Sequence, residues 1–525
     1  MIARSQPSVA VIGAGPGGLA SAMLLAASGL PVTVYEAQDE IGGRTGRVHQ
    51  DGYSFDRGPT FFLMPYVLDE IFAAAGQRLS DRVELERLDP MYRLIVGQRD
   101  GSSPITLDAT QDVQEMARRI AAIDAADGAA FPRFIADNRV KLKALEPVLR
   151  RPFKSPMDLV SPEVIRAAPH VRPHMTVDGL LGRYFKHPAV RLATGFQSKY
   201  LGMSPLECPS LFTILPFIEY EYGVWHPRGG CHALMLAMAE VAESLGVRIE
   251  TGAPVDAIDF EGRRATGVIV NGERHPHDHV VVNADATWAM KKLIPERLRG
   301  RETDARIDAR RYSCSTFMMY LGVRGDVDLP HHSIYISSKY RENLDDISNR
   351  GRLSEDPSFY VCNPSPRDPS LAPDGCSSLY VLVPTPNCTS EIDWAGQTPH
   401  LREEAFKQIE RRLGISDLRD RTEVEILCTP SDWRGMNINH GATFNLAHTL
   451  GQMLHKRPKH RLPQTDGVWL VGGGTHPGSG LPVIFLSSQI TSRLLCEEVG
   501  ASYAGTDVPL HRIGEHASDA QPALV

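Results

Sequence analysis

Short apolar runs alternate with stretches of helical period along this chain. Residues 9–12 form one such run, followed by Gly13-x-Gly15-x-x-Gly18, an alanine- and leucine-rich stretch, and a second run over 31–35 that ends at Glu36. The pattern predicts a strand, a tight turn, a helix and a second strand. Helical periods recur over 112–123 and 131–149, and prolines at 152, 156, 162, 169 and 173 then interrupt them. A helix over 233–245 and a strand over 248–251 come next. Asn271-Gly272 signals a hairpin, and the run 280–282 leads into Asn283-Ala284-Asp285. Strand-like alternation fills 316–323, 333–336, 358–361 and 378–384, with a helix over 401–413. Near the other end, the apolar run 468–471 enters Gly472-Gly473-Gly474-Thr475-His476-Pro477-Gly478 and a helical stretch over 481–496.

The first unit has the chemistry of a dinucleotide site. The turn Gly13-Ala14-Gly15-Pro16-Gly17-Gly18 lets backbone approach a pyrophosphate, and the following helix offers its N-terminal N–H groups to the anion. Glu36, closing the second strand, is placed to accept hydrogen bonds from a ribose diol. Gly42, Gly43 and Arg44 follow at once and supply another close backbone approach beside a fixed cation. Glycine turns at opposite ends of the chain suit one long ligand held by both. FAD fits that description, whereas NAD needs only the first turn.

The fold class expected is therefore α/β. A Rossmann-like FAD-binding domain of the glutathione-reductase type is assembled from residues 1–100, 224–300 and 430–500, and 101–223 with 301–429 form an inserted α+β domain facing substrate and membrane. Residues 501–525 read as a polar, disordered tail.

Composition narrows the class. A chain of 525 residues that is 42% hydrophobic can bury a large core and hold two domains. A net charge of −7 argues against a nucleic-acid partner. No apolar run approaches the roughly 18–20 residues that span a bilayer. The first strand begins too early for a signal peptide to precede it. The eight cysteines are scattered without a C-x-x-C pair, as expected for reduced thiols in the cytoplasm.

Five further segments carry a family resemblance: residues 223–230 (Gly-Val-Trp-His-Pro-Arg-Gly-Gly), 312–315, 368–375, 429–433 and 474–480. In this order they resemble the bacterial carotenoid (phytoene-type) desaturases, over about residues 8–497. Residues 196–216, 312–322, 351–361 and 392–394 look closer to the C30 branch, which acts on 4,4′-diapophytoene, than to the C40 phytoene branch. Cys231-His232 and His226 depart from the family pattern. The resemblance implies FAD-dependent desaturation of a linear isoprenoid: hydride leaves an allylic carbon for flavin N5, and a proton follows. It also places the first glycines and Glu36 at the ADP half, Gly42, Gly43 and Arg44 near the pyrophosphate, and Val255 near the adenine. Gly474, Thr475 and Gly478 fall near the ribityl chain and ring. A hydrophobic carotenoid precursor, a quinone or oxygen as electron acceptor, and a peripheral position on the inner face of the cell membrane complete the implied partners.

Such chemistry needs no protein nucleophile. Glu219 and Glu221 are candidates for a base, although surface carboxylates are the simpler expectation, and His476 reads as a turn residue packed near the flavin more than as an acid or base. His275-x-His277-x-His279 could line one side of a strand as metal ligands, but Pro276 and the adjacent hairpin favour a solvated entrance. His331-His332 lacks partners at di-iron spacing, so no metal ligand is assigned. The apolar loop 61–65 and the basic runs 141–154 and 455–461 are the candidate membrane contacts. Two other readings share the scaffold: an amine oxidase with Tyr222 and Trp225 in an aromatic cage, and a prenyl-lipid escort protein without flavin.

Overall fold

The computed structural model describes residues 6–506, and most of the predicted tail lies outside the described residues. Two sheets organise the chain. The first has five parallel strands in the order Val468–Leu470, His279–Val282, Val9–Ile12, Val32–Tyr35 and Arg248–Glu250. Its four strands other than the edge strand Arg248–Glu250 are mostly apolar and buried on both faces, as covering on both sides requires. Val9, Val11, Val34 and Val281 pack on one side against the helices Pro16–Ala27, Cys231–Ser244 and Leu481–Val499. Ala10, Ile12, Val280 and Val282 pack on the other, against the helix Ala286–Leu293 and a three-stranded antiparallel sheet, Val255–Glu261, Arg264–Val270 and Glu273–Pro276. The predicted hairpin is there: Asn271 (φ 50°) and Gly272 (φ 80°) take the left-handed conformations that a two-residue turn needs.

The second sheet has seven strands, in the order Thr422–Cys428, Ser315–Arg324, Cys376–Thr385, Phe359–Cys362, His332–Ile336, Tyr92–Val96 and Ile105–Ala109. All its pairings are antiparallel except that of His332–Ile336 with Tyr92–Val96. This sheet therefore takes strands from both sides of residue 100. The helix Trp394–Leu413 covers one face through Phe406 and Ile409. On the other face Tyr53 approaches Gly322 so closely that a Cβ there would stand 2.7 Å from its ring.

A helical layer closes the molecule. Its longest member, Ala125–Leu149, is capped by Asp124 and starts earlier than its sequence period indicates. At its end Arg150 forms a buried bidentate pair with Glu70 (2.8 Å to each oxygen) and also reaches Gln489 Oε1 (3.1 Å). One guanidinium thus fastens the helical layer to an N-terminal helix, Pro65–Ala74, and to the C-terminal helix.

Candidate dinucleotide and substrate site

The glycine turn between Val9–Ile12 and Pro16–Ala27 leaves no room for side chains. A Cβ on Gly18 would lie 2.0 Å from the Gly13 oxygen, and one on Gly17 would lie 2.5 Å from Asn283 Oδ1. Asn283 Nδ2 donates to the Gly13 carbonyl (3.1 Å), locking the neighbouring strand His279–Val282 to the turn. No side chain caps the helix that follows, so its first N–H groups face the space above Gly15. Glu36 is buried at the end of the second strand. Its Oε2 accepts from the Ala14 amide (2.7 Å) and its Oε1 from the Gln38 amide (2.9 Å). The carboxylate is thereby oriented before any ribose arrives. The Glu36 carbonyl accepts from Ala253 N (2.8 Å), which brings the start of Val255–Glu261 alongside.

The second glycine loop folds over the first. Gly42 (φ 107°) donates its amide to the Ala14 carbonyl (2.9 Å), and a Cβ on Gly43 would stand 3.6 Å from Gly15 Cα. Arg44 Nη1 donates to the Thr443 carbonyl (2.6 Å). Asn445 turns its Nδ2 to Asp285 Oδ2 (2.9 Å) and its Oδ1 to Ser479 Oγ and Arg44 Nη1 (3.2 Å each). The N-terminal loop, the strand–helix junction near Asp285 and the C-terminal turn therefore meet in one hydrogen-bonded patch.

The C-terminal turn is braced from behind. Arg457, buried, donates to the carbonyls of Gly473 (3.1 Å), Thr475 (3.1 Å) and Leu446 (3.3 Å), and burial pushes its pKa down to about 9. Thr475 Oγ1 lies 2.7 Å from Ser487 Oγ. A Cβ on Gly474 would meet Ala286 at 2.6 Å, and one on Gly478 would meet His448 at 2.2 Å. His476 Nε2 lies 3.1 Å from the Val148 carbonyl and its ring packs edge-on to Phe153 (4.8 Å). Burial lowers its pKa to about 4, so the ring is neutral and serves packing. The glycines, Glu36 and the uncapped helix together form a backbone-lined cradle that fits an extended dinucleotide.

Around Phe61 gathers a cluster of aromatic side chains, the candidate substrate chamber. Phe61 neighbours Tyr92 (6.2 Å), Tyr200 (5.3 Å) and Tyr360 (5.7 Å), and Phe196 sits edge-on to Tyr92 (5.4 Å). Two expectations need correction here. Glu219 is not a surface carboxylate: it is buried, and its Oε2 accepts from Tyr92 Oη (2.8 Å) and Gln197 Nε2 (3.0 Å). Burial raises its pKa to about 7, against these hydrogen bonds, which lower it. Glu221 is mostly covered as well, in a bidentate contact with Arg139 (2.7 Å at its shortest). Leucine, glutamate and tyrosine at 215, 219 and 222 fall on one helical face, the periodicity that could have placed Glu219 inward.

The loop 61–65 likewise turns inward, with Phe62 and Met64 buried, and walls the chamber. Neither basic run is a solvated patch throughout: Lys141 is buried against Asn138 Oδ1 (3.0 Å) and Thr213 Oγ1 (2.6 Å), and Arg457 and His460 are buried. His275, His277 and His279 do not share a strand; His277 Nε2 lies 3.0 Å from Tyr35 Oη. Sequence reasoning missed Asn283, Asp285, Asn445 and Arg457, whose roles appear only when distant segments meet.

Residues 16–495 match the family of flavin-containing amine oxidoreductases. The chain is 40% identical over 494 residues to a 4,4′-diapophytoene desaturase (4,4′-diapolycopene-forming) of Methylomonas sp, covering 93% of this chain and 95% of that one. It is 39% identical over 501 residues to an all-trans-zeta-carotene desaturase of Myxococcus xanthus, covering 94% of each. Among solved structures, an oxidoreductase from Methanosarcina mazei superposes with a TM-score of 0.61 at 17% identity, over 92% of this chain and 98% of that one.

Replacing Glu36 with alanine is expected to weaken flavin dinucleotide binding by about 1–3 kcal/mol, the scale of hydrogen bonds to a charged group. Calorimetric titration of the apoprotein measures it, and unchanged affinity would remove Glu36 from the site.

Proposed function

The chain belongs to the flavin-containing amine oxidoreductase family and, within it, to the FAD-dependent carotenoid desaturases; we propose that its substrate is a linear C30 isoprenoid, 4,4′-diapophytoene or a partly desaturated successor, taken from a membrane surface. The observation that carries the C30 reading is the 40% identity, along nearly the whole chain, to an enzyme named for that substrate. The C40 alternative draws on the almost equal identity to the Myxococcus zeta-carotene enzyme.

When bound, FAD would supply the two-electron acceptor for hydrogen leaving the allylic carbon, with quinone or oxygen as the terminal acceptor. The protein's share is to bind, align and exclude water. Gly13, Gly15, Pro16, Gly17, Gly18 and Glu36 hold the ADP half, with Val255 at the adenine. Gly42, Gly43 and Arg44 cover the pyrophosphate, and Gly474, Thr475 and Gly478 support the far end. The substrate offers no polar handle, so alignment comes from apolar walls such as Phe61, Phe196 and Tyr200. Glu219 is the group suited to take the proton: a carboxylate with a pKa of about 7 inside the chamber wall is poised for transfer near neutral pH.

The membrane face we propose lies where the basic runs 141–154 and 455–461 converge, with Lys459 Nζ donating to the Phe153 carbonyl (3.2 Å). Met157, Val160 and Ile165 are 73%, 61% and 59% exposed, on two short helices, Pro156–Val160 and Pro162–Ala167, flanked by exposed Lys154 and Arg166. Apolar side chains ringed by cations suit the surface of an anionic bilayer. The segment adjoins the C-terminal turn, because Phe153 packs on His476. No described helix is long and apolar enough to cross a membrane.

Coexpression with C30 or C40 precursor pathways tests the substrate: pigment is expected from the C30 host, with the absorption maximum moving red for each added double bond. Colour only in the C40 host would overturn the C30 reading. Glu219→Gln is expected to lower kcat about 10²–10⁴-fold with flavin content intact. It should also abolish the parent's loss of rate as pH falls through about 7, where Glu219 becomes protonated. An unchanged pH–rate profile would exclude Glu219. Met157→Asp combined with Ile165→Asp should cut co-sedimentation with anionic vesicles at least about tenfold, given the apolar area each side chain buries. Full retention on vesicles would exclude this face.

A further inference from the structure

His331, His332 and Cys362 form a buried cluster that the desaturation chemistry does not use. His332 opens the strand His332–Ile336 and is the direct cross-strand partner of Cys362, so their side chains share a face of the sheet. His331, one residue earlier, is held by the Asn363 amide donating to its carbonyl (2.8 Å), and its ring joins the same face. The three ligand atoms lie within 4.8 Å of one another: His331 Nδ1 is 3.4 Å from His332 Nδ1 and 3.7 Å from Cys362 Sγ.

Those separations are the edges of a coordination tetrahedron. Bonds of about 2.0 Å to nitrogen and about 2.3 Å to sulfur put neighbouring nitrogens about 3.4 Å apart, and nitrogen and sulfur about 3.6 Å apart. Only the edge between His332 and Cys362 has to adjust. Metal on Nδ1 places each ring's proton on Nε2, which in both histidines is buried without a protein partner among the described residues. A small cavity lined by Asp56, Thr60 and His226 borders His331 and Cys362; in the site proposed below, water from this cavity supplies the fourth ligand.

The geometry points to a His₂Cys site for a tetrahedral divalent cation of the zinc type. Three protein ligands and an open fourth position are an arrangement zinc accepts, with imidazole and thiolate as its preferred donors. As the sulfur–metal bond forms, the Cys362 thiol gives its proton to solvent; no electron is transferred.

Occupancy would reach the chamber. His332 Nδ1 lies 2.7 Å from the Tyr360 hydroxyl, which in turn lies 2.7 Å from Thr60 Oγ1, and the His332 ring stacks on Phe61 at 3.9 Å. A nitrogen bound to metal cannot also accept from Tyr360. The ion therefore releases that hydroxyl and shifts the wall against which Phe61 rests, slowing turnover. This inhibitory arm rests on the chamber being the substrate site; metal binding itself does not.

The test is titration of the flavin-loaded enzyme with Co²⁺. One equivalent is expected, with a thiolate-to-cobalt charge-transfer band in the near ultraviolet, intense tetrahedral bands to the red of the flavin, displacement by Zn²⁺, and turnover that falls with occupancy. Cys362→Ser should lose the charge-transfer band and bind at least tenfold more weakly, whereas Cys376→Ser keeps both. Absence of the band in the unsubstituted enzyme overturns the site whether or not Cys362→Ser folds, as does a folded Cys362→Ser that retains it. Full turnover at saturating Co²⁺ overturns the coupling to the chamber.

Discussion

Gly18 packs so closely on the Gly13 carbonyl that a single methyl group would stand 2.0 Å from its oxygen. That contact sets the crossing of the first helix over the sheet, and with it where the helix N-terminus points. Asn283 then fills the remaining space, bonded to the Gly13 carbonyl and lying within reach of any Cβ at residues 15, 17 and 18. Since Asn283 ends the strand His279–Val282, the turn and the neighbouring strand cannot move independently. The cradle is a property of two chain segments fixed by one amide.

Polar groups inside this molecule mark the seams between segments. Arg150 with Glu70 and Gln489, and Asp368 with His226 and the Gly229 amide, join residues far apart in sequence, while Arg457 ties the C-terminal turn to the loop before it. The Asp368 seam brings two of the family-bearing segments, 223–230 and 368–375, into contact. An unpaired buried charge is expensive, so each seam is specific as well as cohesive. Glu219 stands apart from them. Its partners are neutral, so burial raises its pKa toward neutrality where an opposing charge would have lowered it.

The parts legible in sequence are those with local causes. The glycine turns, the hairpin at Asn271-Gly272, the parallel strands and four of the seven strands of the second sheet follow from backbone conformation and alternation; Tyr92–Val96, Ile105–Ala109 and Thr422–Cys428 do not. The chemistry of Glu36 follows because strand, turn and acid are adjacent in the chain. Glu219 was misread because carboxylates are so seldom buried; its helical spacing was the only hint, and its neutral partners Tyr92 and Gln197 come from elsewhere. The apolarity of the loop 61–65 suits an inner wall as well as a membrane contact, and its pattern alone does not separate the two. Met157, Val160 and Ile165 sit in a proline-broken stretch with no strong period, so their exposure became visible only once the long helix beneath them was in place.

The order of strands in the parallel sheet also constrains how the protein is made. Val9–Ile12 and Val32–Tyr35 are translated early, yet the strand that flanks the first of them ends at residue 282, and the next one out is not complete until residue 470. While the ribosome works through the intervening length, an apolar strand edge stays uncovered, the kind of surface that attracts misassembly. The helix Leu481–Val499, whose Ser488 closes on the Gly17 carbonyl, arrives last of all. The cradle therefore gains its last wall only when residues 481–499 have joined the rest.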